Sequence, residues 1–208
     1  MNKIAILGAS GHGKVIAEIA ELCGWSDIVF FDDAWPSVNS IGVWKVVGNT
    51  DQLITCIREY DAFFIAIGNN TIRSDKFMQL SNLGVNAALL VHPSSTVSKY
   101  ASLGAGTVVM ANAVVNSFAT IGQACIINTS SVIEHDCVLN DGCHISPGAH
   151  LAGAVHIGRR SWIGIGVNVI QQINISDDVI VGAGSTVIND QQSNTTAVGS
   201  PAKPISIK

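Results

Sequence analysis

Three ionisable residues stand together at Glu134, His135 and Asp136, inside a tract that is otherwise aliphatic, small and nearly uncharged. Histidine is the side chain best suited to exchange a proton near neutral pH. A histidine that removes a proton from a reacting group acts as a general base. A single charged cluster is also typical of an ordinary solvated turn. The triplet therefore indicates either a general base or a polar surface turn.

A second group of candidates follows the apolar run KIAIL (3–7), where the segment GASGHG (8–13) begins. Its glycines have the order G-x-x-G-x-G, which differs from the dinucleotide fingerprint G-x-G-x-x-G. Glycines at such a turn let the backbone approach a ligand, and a helix start behind them favours an anion. Asp32 and Asp33 follow the next apolar run, where ribose hydroxyls are usually held, and GNN (68–70) follows a later one. These positions predict a nucleotide half-site, with a ligand-free tight turn as the alternative.

The elements around this half-site alternate between strand-like and helix-like segments, which predicts a parallel sheet wrapped by helices. We expect strands at 3–7, 27–31, 44–47, 61–70 and 85–91, and helices at 14–24, 50–59 and 71–83. A full NAD site needs two mononucleotide halves, and about ninety residues supply barely one. A Rossmann-like half domain over residues 1–92 is therefore favoured over an NAD-dependent oxidoreductase.

From Val97 to residue 192 the sequence repeats every six residues without an insertion. The first position is Val, Ile or Leu in all sixteen hexads, the fifth is mostly Ala, Ser, Thr, Cys or Val, and the second is Gly or Asn in half. Neither an alternating strand nor a 3.6-residue helix has this period. It predicts a parallel β-helix over residues 93–208, with three hexads in each coil. First positions should point inward, and second-position Gly and Asn should supply the left-handed backbone of the turns.

On such a coil the charged triplet lies on an outward turn between the inward Ile133 and the corner residue Cys137. Most other turns use Gly, Ala, Ser or Asn, which favours a functional His135. Zinc ligands within one chain should be separated by three hexads, the sequence distance between stacked coils. His135, His144, His150 and His156 have no such spacing, so we expect no metal, although ligands shared between chains would escape this argument.

Composition narrows the class of protein further. Only 12% of the residues are charged and 48% are hydrophobic, which indicates surface buried by self-association, and we expect a ring of three copies. With a net charge of −4 and no basic run, the chain lacks the clustered positive charge that is typical of nucleic-acid-binding proteins. No apolar run reaches the roughly 18–20 residues of a membrane span. Five cysteines without a C-x-x-C pair predict reduced thiols in the cytoplasm.

Together, GASGHG, FFDD (30–33), FIAIGNN (64–70), NTSSVIEHDC (128–137) and VGSPAK (198–203) resemble the sialic acid O-acetyltransferase family of hexapeptide acyltransferases. Within it they most resemble the UDP-4-amino-sugar N-acetyltransferases of the bacillosamine pathway. The resemblance covers nearly the whole chain. It implies a left-handed β-helix, a homotrimer that binds acetyl-CoA between neighbouring prisms, and a sugar nucleotide held by the N-terminal domain.

The resemblance also implies roles for individual residues. The catalytic residues would be His135 as general base, Asp136 as the acid that supports it, and Asn128 as a polar residue that orients the site. The acetyl-CoA contacts would be His144, Gly153, Ile165 and Ala183, the last standing where relatives have Gly. The sugar-nucleotide contacts would be Ser10, Gly11, His12, Asp32, Asp33 and Gly68.

The implied reaction is direct transfer of the acetyl group from acetyl-CoA to the amino group of a UDP-linked 4-amino-4,6-dideoxy sugar, for bacterial glycan or glycoprotein synthesis. No covalent enzyme intermediate is required. Three alternatives stay open at this point: O-acetylation of sialic acid, N-acetylation of another nucleotide amino sugar such as perosamine, and a non-catalytic scaffold that binds a sugar nucleotide.

Overall fold

A computed structural model of the chain describes residues 2–206, which divide into two compact units between Val91 and His92. The first unit is an α/β domain and the second is a parallel β-helix, as the sequence patterns predict, and the helix is left-handed, as the family resemblance implies. Among the described residues, no helix has both the length and the apolar character that a membrane crossing needs.

The first unit is built on a five-stranded sheet with the order β3-β4-β2-β1-β5. Its central strand β1 pairs in parallel with β2 and β5, and β4 extends the sheet in parallel beyond β2. The strands are β1 (Lys3–Leu7), β2 (Asp27–Phe31), β3 (Ser40–Ile41), β4 (Trp44–Gly48), β5 (Ala62–Ile65) and β6 (Leu90–Val91). The helices are α1 (Gly11–Leu22), α2 (Thr50–Cys56), continued by a 3₁₀ turn (Ile57–Glu59), and α3 (Asn70–Ser81).

Three details of this unit differ from the sequence-based expectation. The strand predicted at 61–70 is too long, because β5 ends at Ile65 and α3 begins at Asn70. The strand predicted at 85–91 is wrong in extent, because only Leu90–Val91 is a strand and Ala87 makes a single bridge to Phe63. The antiparallel pair of β3 and β4 was not predicted. It turns at Gly42, whose φ of 57° is left-handed, and one glycine between short polar segments is a weak signal for a hairpin.

The second unit stacks short strands on three flat faces, and strands up to β22 pair in parallel with the strand three hexads away, whereas β21 pairs with β23 only 16 residues later. The first face holds β7 (Thr96–Val97), β10 (Val114–Val115), β13 (Val132–Ile133), β16 (His150–Leu151), β19 (Asn168–Val169) and β22 (Thr186–Val187). The second face holds β8 (Ser102–Leu103), β11 (Thr120–Ile121), β14 (Val138–Leu139), β17 (His156–Ile157) and β20 (Asn174–Ile175). The third face holds β9 (Val108–Val109), β12 (Ile126–Ile127), β15 (His144–Ile145), β18 (Trp162–Ile163), β21 (Ile180–Val181) and β23 (Thr196–Val198), with β24 (Lys203–Ile205) antiparallel to β23.

The core of the β-helix is a set of aliphatic ladders. First-position side chains from Val109 to Val187 are at most 3% exposed, which confirms that they point inward. Cys125, Cys137 and Cys143 are fully buried at fifth positions, so they fill corners as predicted. Stacking these side chains removes apolar surface from water in every coil, which is the main favourable term in forming such a core.

The predicted role of second-position Gly and Asn is wrong. The left-handed residues of the turns occupy the fourth position of the hexad, and many of them are not glycine, including Asn112, Ala124 and Asp136. Second-position glycines such as Gly104 and Gly158 allow neighbouring coils to approach each other closely. A Cβ at Gly104 would lie 2.5 Å from the Gly122 carbonyl carbon, and one at Gly158 would overlap the backbone of Ser176.

Candidate active site

His135 and Asp136 lie on the turn that leads from β13 on the first face to β14 on the second. Ile133 and Cys137 on either side of them are fully buried, so the turn can only present its side chains outward. The side chain of His135 is 62% exposed and that of Asp136 is 59% exposed. The sequence therefore places this imidazole on the surface through the burial of its neighbours in the hexad.

The imidazole of His135 is held by its own neighbour. Its Nδ1 atom lies 2.8 Å from Asp136 Oδ2. A carboxylate can only accept a hydrogen bond, so Nδ1 donates and the lone pair of the neutral ring is on Nε2. Nε2 is thus the atom that can receive a proton from a reacting group.

The next coil supports the ring from one side. Gly153 lies one full coil after His135, and a Cβ there would be 2.6 Å from both His135 Cε1 and Nε2. Gly153 is buried although His135 is exposed. The imidazole therefore lies directly over the backbone of this glycine.

Other polar residues of the turns bond across one coil. Glu134 Oε2 accepts from Asn116 Nδ2 at 2.9 Å, so the first member of the triplet is a cross-coil link. The Arg159 backbone N–H donates to Asp177 Oδ1 at 2.7 Å, and the Arg160 guanidinium pairs with Asp178. His135 differs from these residues because its side chain bonds to the adjacent residue, which leaves Nε2 directed away from that bond.

A groove of about 430 Å³ runs along the first face beside the His135 turn. Its lining includes Glu134 and His150 together with Val132, Asn168 and Ile170. Most of the lining is apolar, with the Glu134 carboxylate and a few other polar groups among it, which is the usual composition of a small-molecule site.

Asn128 and His144 form a second cluster at another corner of the prism, around the third face. Asn128 Nδ2 lies 3.1 Å from His144 Nε2, and the His144 ring stacks on Trp162 with 5.8 Å between centroids and 4° between planes. Trp162 was missed from the sequence, although its position one coil after His144 was a usable signal. Trp162 Nε1 donates to Ser146 Oγ at 2.7 Å, which fixes the stack.

Ile165 and Ala183 occupy equivalent third positions in successive coils, on the turns that follow the third face. Both are exposed, Ile165 by 60%. Within one chain the predicted residues therefore form two groups. His135, Asp136 and Gly153 lie at the corner after the first face, whereas Asn128, His144, Ile165 and Ala183 lie on or after the third.

Four of the six predicted sugar-nucleotide residues line a cleft of about 260 Å³ in the first unit, where β1, β2 and β5 end, whereas Gly11 and His12 are outside its lining. Ser10, Asp32, Asp33 and Gly68 lie in its wall. A Cβ at Gly11 or Gly68 would meet no atom within 4 Å. Ser10 caps α1 without a side-chain hydrogen bond, which leaves N–H groups at the helix start for an anionic ligand.

The two carboxylates in the cleft also hold its loops. Asp32 accepts from the backbone N–H of Ala9 at 2.7 Å and of Ala34 at 2.9 Å. Asp33 accepts from the Thr50 N–H at 2.9 Å, and hydrogen bonding to Thr50 holds the pKa of Asp33 below its usual value. Each carboxylate keeps further lone pairs that can accept from ribose hydroxyls.

His12, on α1, and the buried Arg73, on α3, lie close enough for their charges to interact. Burial, with the Arg73 guanidinium as a second cause, lowers the pKa of His12 to about 4, so this imidazole is neutral at physiological pH. Arg73 is 1% exposed, and its Nη1 donates to the carbonyls of Ile67 and Gly68 at 3.0 Å each. The burial of Arg73 was not predicted from the sequence, because an arginine on a helix is ordinarily a surface residue.

Residues 2–206 contain no group of three or more His, Cys, Asp and Glu side chains that could hold a metal ion.

The comparisons with known proteins agree with this architecture. Residues 3–80 match the PglD N-terminal domain, and residues 118–153 match the bacterial transferase hexapeptide repeats. The chain is 40% identical over 117 residues to UDP-N-acetylbacillosamine N-acetyltransferase of Bacillus subtilis. This alignment covers 53% of the chain and 52% of the relative, so the chain spans about half the length of that curated protein.

Two groups of solved structures match along nearly the whole chain. The acetyltransferase domain of PglB from Neisseria gonorrhoeae, in complex with acetyl coenzyme A, is 40% identical with a TM-score of 0.94, covering 98% of this chain and 99% of that one. A variant of perosamine N-acetyltransferase from Caulobacter crescentus, in complex with CoA and GDP-perosamine, is 34% identical with a TM-score of 0.94, covering 100% and 98%. This chain therefore belongs to the family of hexapeptide acetyltransferases that carry a PglD-type N-terminal domain.

Proposed function

We propose that this enzyme transfers the acetyl group of acetyl-CoA to the amino group of a UDP-linked 4-amino-4,6-dideoxy sugar, for bacterial glycan or glycoprotein synthesis. Acetyl-CoA is the co-substrate of the family. The observation that carries the reaction type is the exposed His135, whose Nδ1 is bonded to Asp136. The similarity to a UDP-N-acetylbacillosamine N-acetyltransferase supports the choice of acceptor.

His135 acts as the general base in this reaction. The amine nitrogen attacks the thioester carbonyl carbon, and its proton passes to His135 Nε2 as the tetrahedral intermediate forms. Collapse of the intermediate breaks the carbon–sulfur bond, and the leaving thiolate receives the proton from the imidazolium. Base catalysis of this kind contributes about 10²–10⁴-fold. Alignment of the two bound substrates contributes on the order of 7 kcal/mol or more.

Asp136 keeps His135 in the productive tautomer, because its carboxylate accepts the Nδ1 hydrogen at 2.8 Å. It also offsets the positive charge of the imidazolium that forms during proton transfer. None of the three cysteines of the β-helix takes part as a nucleophile. Cys125, Cys137 and Cys143 are fully buried, and burial raises the pKa of the Cys137 thiol.

The active site is shared between copies in a homotrimer. The base lies at the corner after the first face, and the proposed coenzyme residues Ile165 and Ala183 lie at the corner after the third face of the same chain. A neighbouring prism can bring its coenzyme corner to the His135 corner of this one. Exposed apolar side chains such as Trp162, Ile165 and Ile180 are the surface that assembly would cover.

The sugar nucleotide binds in the cleft of the first unit. Its phosphates face the uncapped start of α1 at Ser10 and Gly11, and its ribose hydroxyls bond to Asp32 and Asp33. Gly68 leaves room for the ligand, since nothing occupies the position of its absent Cβ. His12 contributes as a neutral group, in keeping with its lowered pKa.

A GDP-linked acceptor is the second candidate. Perosamine N-acetyltransferase of Caulobacter crescentus is 34% identical over the whole of this chain. Thiol release from acetyl-CoA, measured across UDP-, GDP- and dTDP-linked 4-amino sugars and free sialic acid, separates these acceptors. We expect the UDP-amino sugar to have the highest kcat/KM. A preference for the GDP sugar would transfer the assignment to the second candidate, and turnover of sialic acid alone would refute N-acetylation.

The His135→Ala variant tests the mechanism. We expect kcat to fall at least about a hundredfold, with CoA affinity and the trimeric mass, three times 21.7 kDa, nearly unchanged. The matched control is His156→Ala, which removes an exposed histidine of the second face and should leave kcat within twofold. An active His135→Ala enzyme would refute the assignment of the base.

A further inference from the structure

We propose that Gly153 is a positioning residue for His135, and that its absent side chain is what allows the imidazole to lie in its reactive orientation. This inference rests on the proposed function, because it assigns Gly153 a role through the base. It differs from the coenzyme contact that the family resemblance implies for the same residue.

The first observation comes from the repeat. Gly153 is a third-position residue, and it is the single glycine among the sixteen third positions of hexads 97–192. The other fifteen include Lys, Arg, Asp, Gln, Ile and Pro. The φ of Gly153 is outside the left-handed range, unlike that of Gly148 or Gly166. The coil itself therefore does not require glycine at this position.

The second observation is steric. A Cβ on Gly153 would lie 2.6 Å from His135 Cε1, 2.6 Å from Nε2 and 3.3 Å from Cδ2. All three of these distances are shorter than an ordinary contact between non-bonded atoms. The two closest ring atoms include Nε2, the atom that accepts the proton. Carbon atoms in contact are ordinarily about 3.5–4.0 Å apart. A methyl group at this position and the observed position of the ring are therefore incompatible.

The third observation concerns the other side of the ring. Nδ1 is bonded to Asp136 at 2.8 Å, so the imidazole is fixed at one nitrogen by a carboxylate and supported along its opposite edge by the Gly153 backbone. Rotating the ring away from an alanine at position 153 would move Nε2 and strain or break the Asp136 bond. A displacement of about 1 Å at a catalytic group can reduce the rate by about a hundredfold.

The experiment compares the wild-type trimer with the variants Gly153→Ala, His135→Ala and the double variant. A positioning role predicts that Gly153→Ala lowers kcat at least about tenfold while the KM for acetyl-CoA and the Kd for CoA change less than threefold. In the His135→Ala background the ring is gone, so adding Gly153→Ala should change neither residual turnover nor CoA affinity. Such strong non-additivity is the signature of two residues acting through one contact.

Each result bears on the proposal. Unchanged kcat in Gly153→Ala would overturn it, as would a CoA affinity that falls equally in both backgrounds, since this would identify a coenzyme contact. If Gly153→Ala does not fold and the double variant does, the conflict with the ring is confirmed. If neither folds, the coil requires the glycine and the proposal is wrong. Failure of the base assignment is separate, because it shows as activity in His135→Ala alone.

Discussion

Two pairs of glycines, one pair in each unit, serve opposite purposes. In the α/β unit, Gly68 lines the cleft and Gly11 follows the lining residue Ser10 at the start of α1, and a Cβ on either would meet nothing within 4 Å. In the β-helix, a Cβ on Gly104 or Gly158 would enter the backbone of the next coil. The first pair leaves space for a ligand, whereas the second pair allows neighbouring coils to pack closely.

The residues proposed to be functional also differ between the two units. The cleft of the α/β unit gathers Ser10, Asp32 and Gly68 from three loops, because the carboxyl ends of parallel strands meet at one edge of the sheet. In the β-helix, functional contacts join residues that are adjacent or one coil apart, such as His135 with Asp136 and Gly153. The geometry of a site on the β-helix therefore depends on which residues stack in successive coils. The geometry of a site in the α/β unit depends on the loops that leave the sheet.

Buried polar groups also differ between the two units. Arg73 is almost wholly buried and ties the loop at 67–70 to α3. In the β-helix, the larger ion pairs, Arg159 with Asp177 and Arg160 with Asp178, lie at the surface between coils. We expect the α/β unit to depend more on pH, since it carries the buried imidazole of His12.

The largest effect is expected from Gly158→Ala in the β-helix. Its methyl group would overlap the backbone of Ser176, which cannot move without disturbing the coil. We expect a loss of at least about 2 kcal/mol in the free energy of unfolding, measured by denaturant titration. The control is Gly148→Ala, where no atom lies within 4 Å but φ is left-handed at 64°, so we expect only the backbone strain of about 1 kcal/mol that Ala124 and Ala154 also carry. Equal losses in both variants would contradict the packing role of second-position glycines.

A smaller effect is expected from acid in the α/β unit. The folded-state pKa of His12 is about 4 and its ordinary value is 6.5, so the unfolded chain binds more protons between these limits. The stability that neutral His12 contributes is therefore complete above pH 6.5 and is lost as the pH falls toward 4, by on the order of 2 kcal/mol. Thermal unfolding followed from pH 7 to 4.5 should show this loss, and His12→Asn should have a flatter profile. An unchanged slope in the variant would exclude His12 as the source.

The smallest effect is expected from Gly68→Ala. The methyl group enters open space, so the melting temperature should stay within about 2 °C of the wild type. In the cleft it competes with the ligand, and we expect the KM for the sugar nucleotide to rise about tenfold, or about 1.4 kcal/mol. The KM for acetyl-CoA should not change. A lowered melting temperature with an unchanged KM for the sugar nucleotide would show that Gly68 is needed for packing and not for ligand binding.

Much of the β-helix could be predicted from the sequence because its structure is periodic. The inward first positions and the outward turn at His135 follow from counting in sixes. Counting could not identify the fourth position as the left-handed one, because Ala, Ser, Asp and Phe occupy it as well as Gly and Asn. Their φ angles are imposed by closing the coil, which overrides the preference of the single residue.

In the α/β unit, the order of the main strands and helices was predicted, whereas strand ends, the β3–β4 pair and side-chain contacts were not. Asp32 and Asp33 were expected to bind ribose, and the structure adds that both hold loops through backbone N–H groups. Arg73 gave no signal, because its burial depends on the carbonyls of Ile67 and Gly68 that it reaches.

The amino-acid sequence is sufficient to define two domain types, a coil of three hexads, and an imidazole with a carboxylate on an exposed turn, since each follows from local spacing and hydrophobicity. The folded chain was needed to bring Gly153 against His135, to separate that corner from the one that holds His144, and to bury Arg73 beside His12. These relations depend on how coils and loops stack in space, and the periodic pattern of a sequence does not specify which side chain fills the gap between one layer and the next.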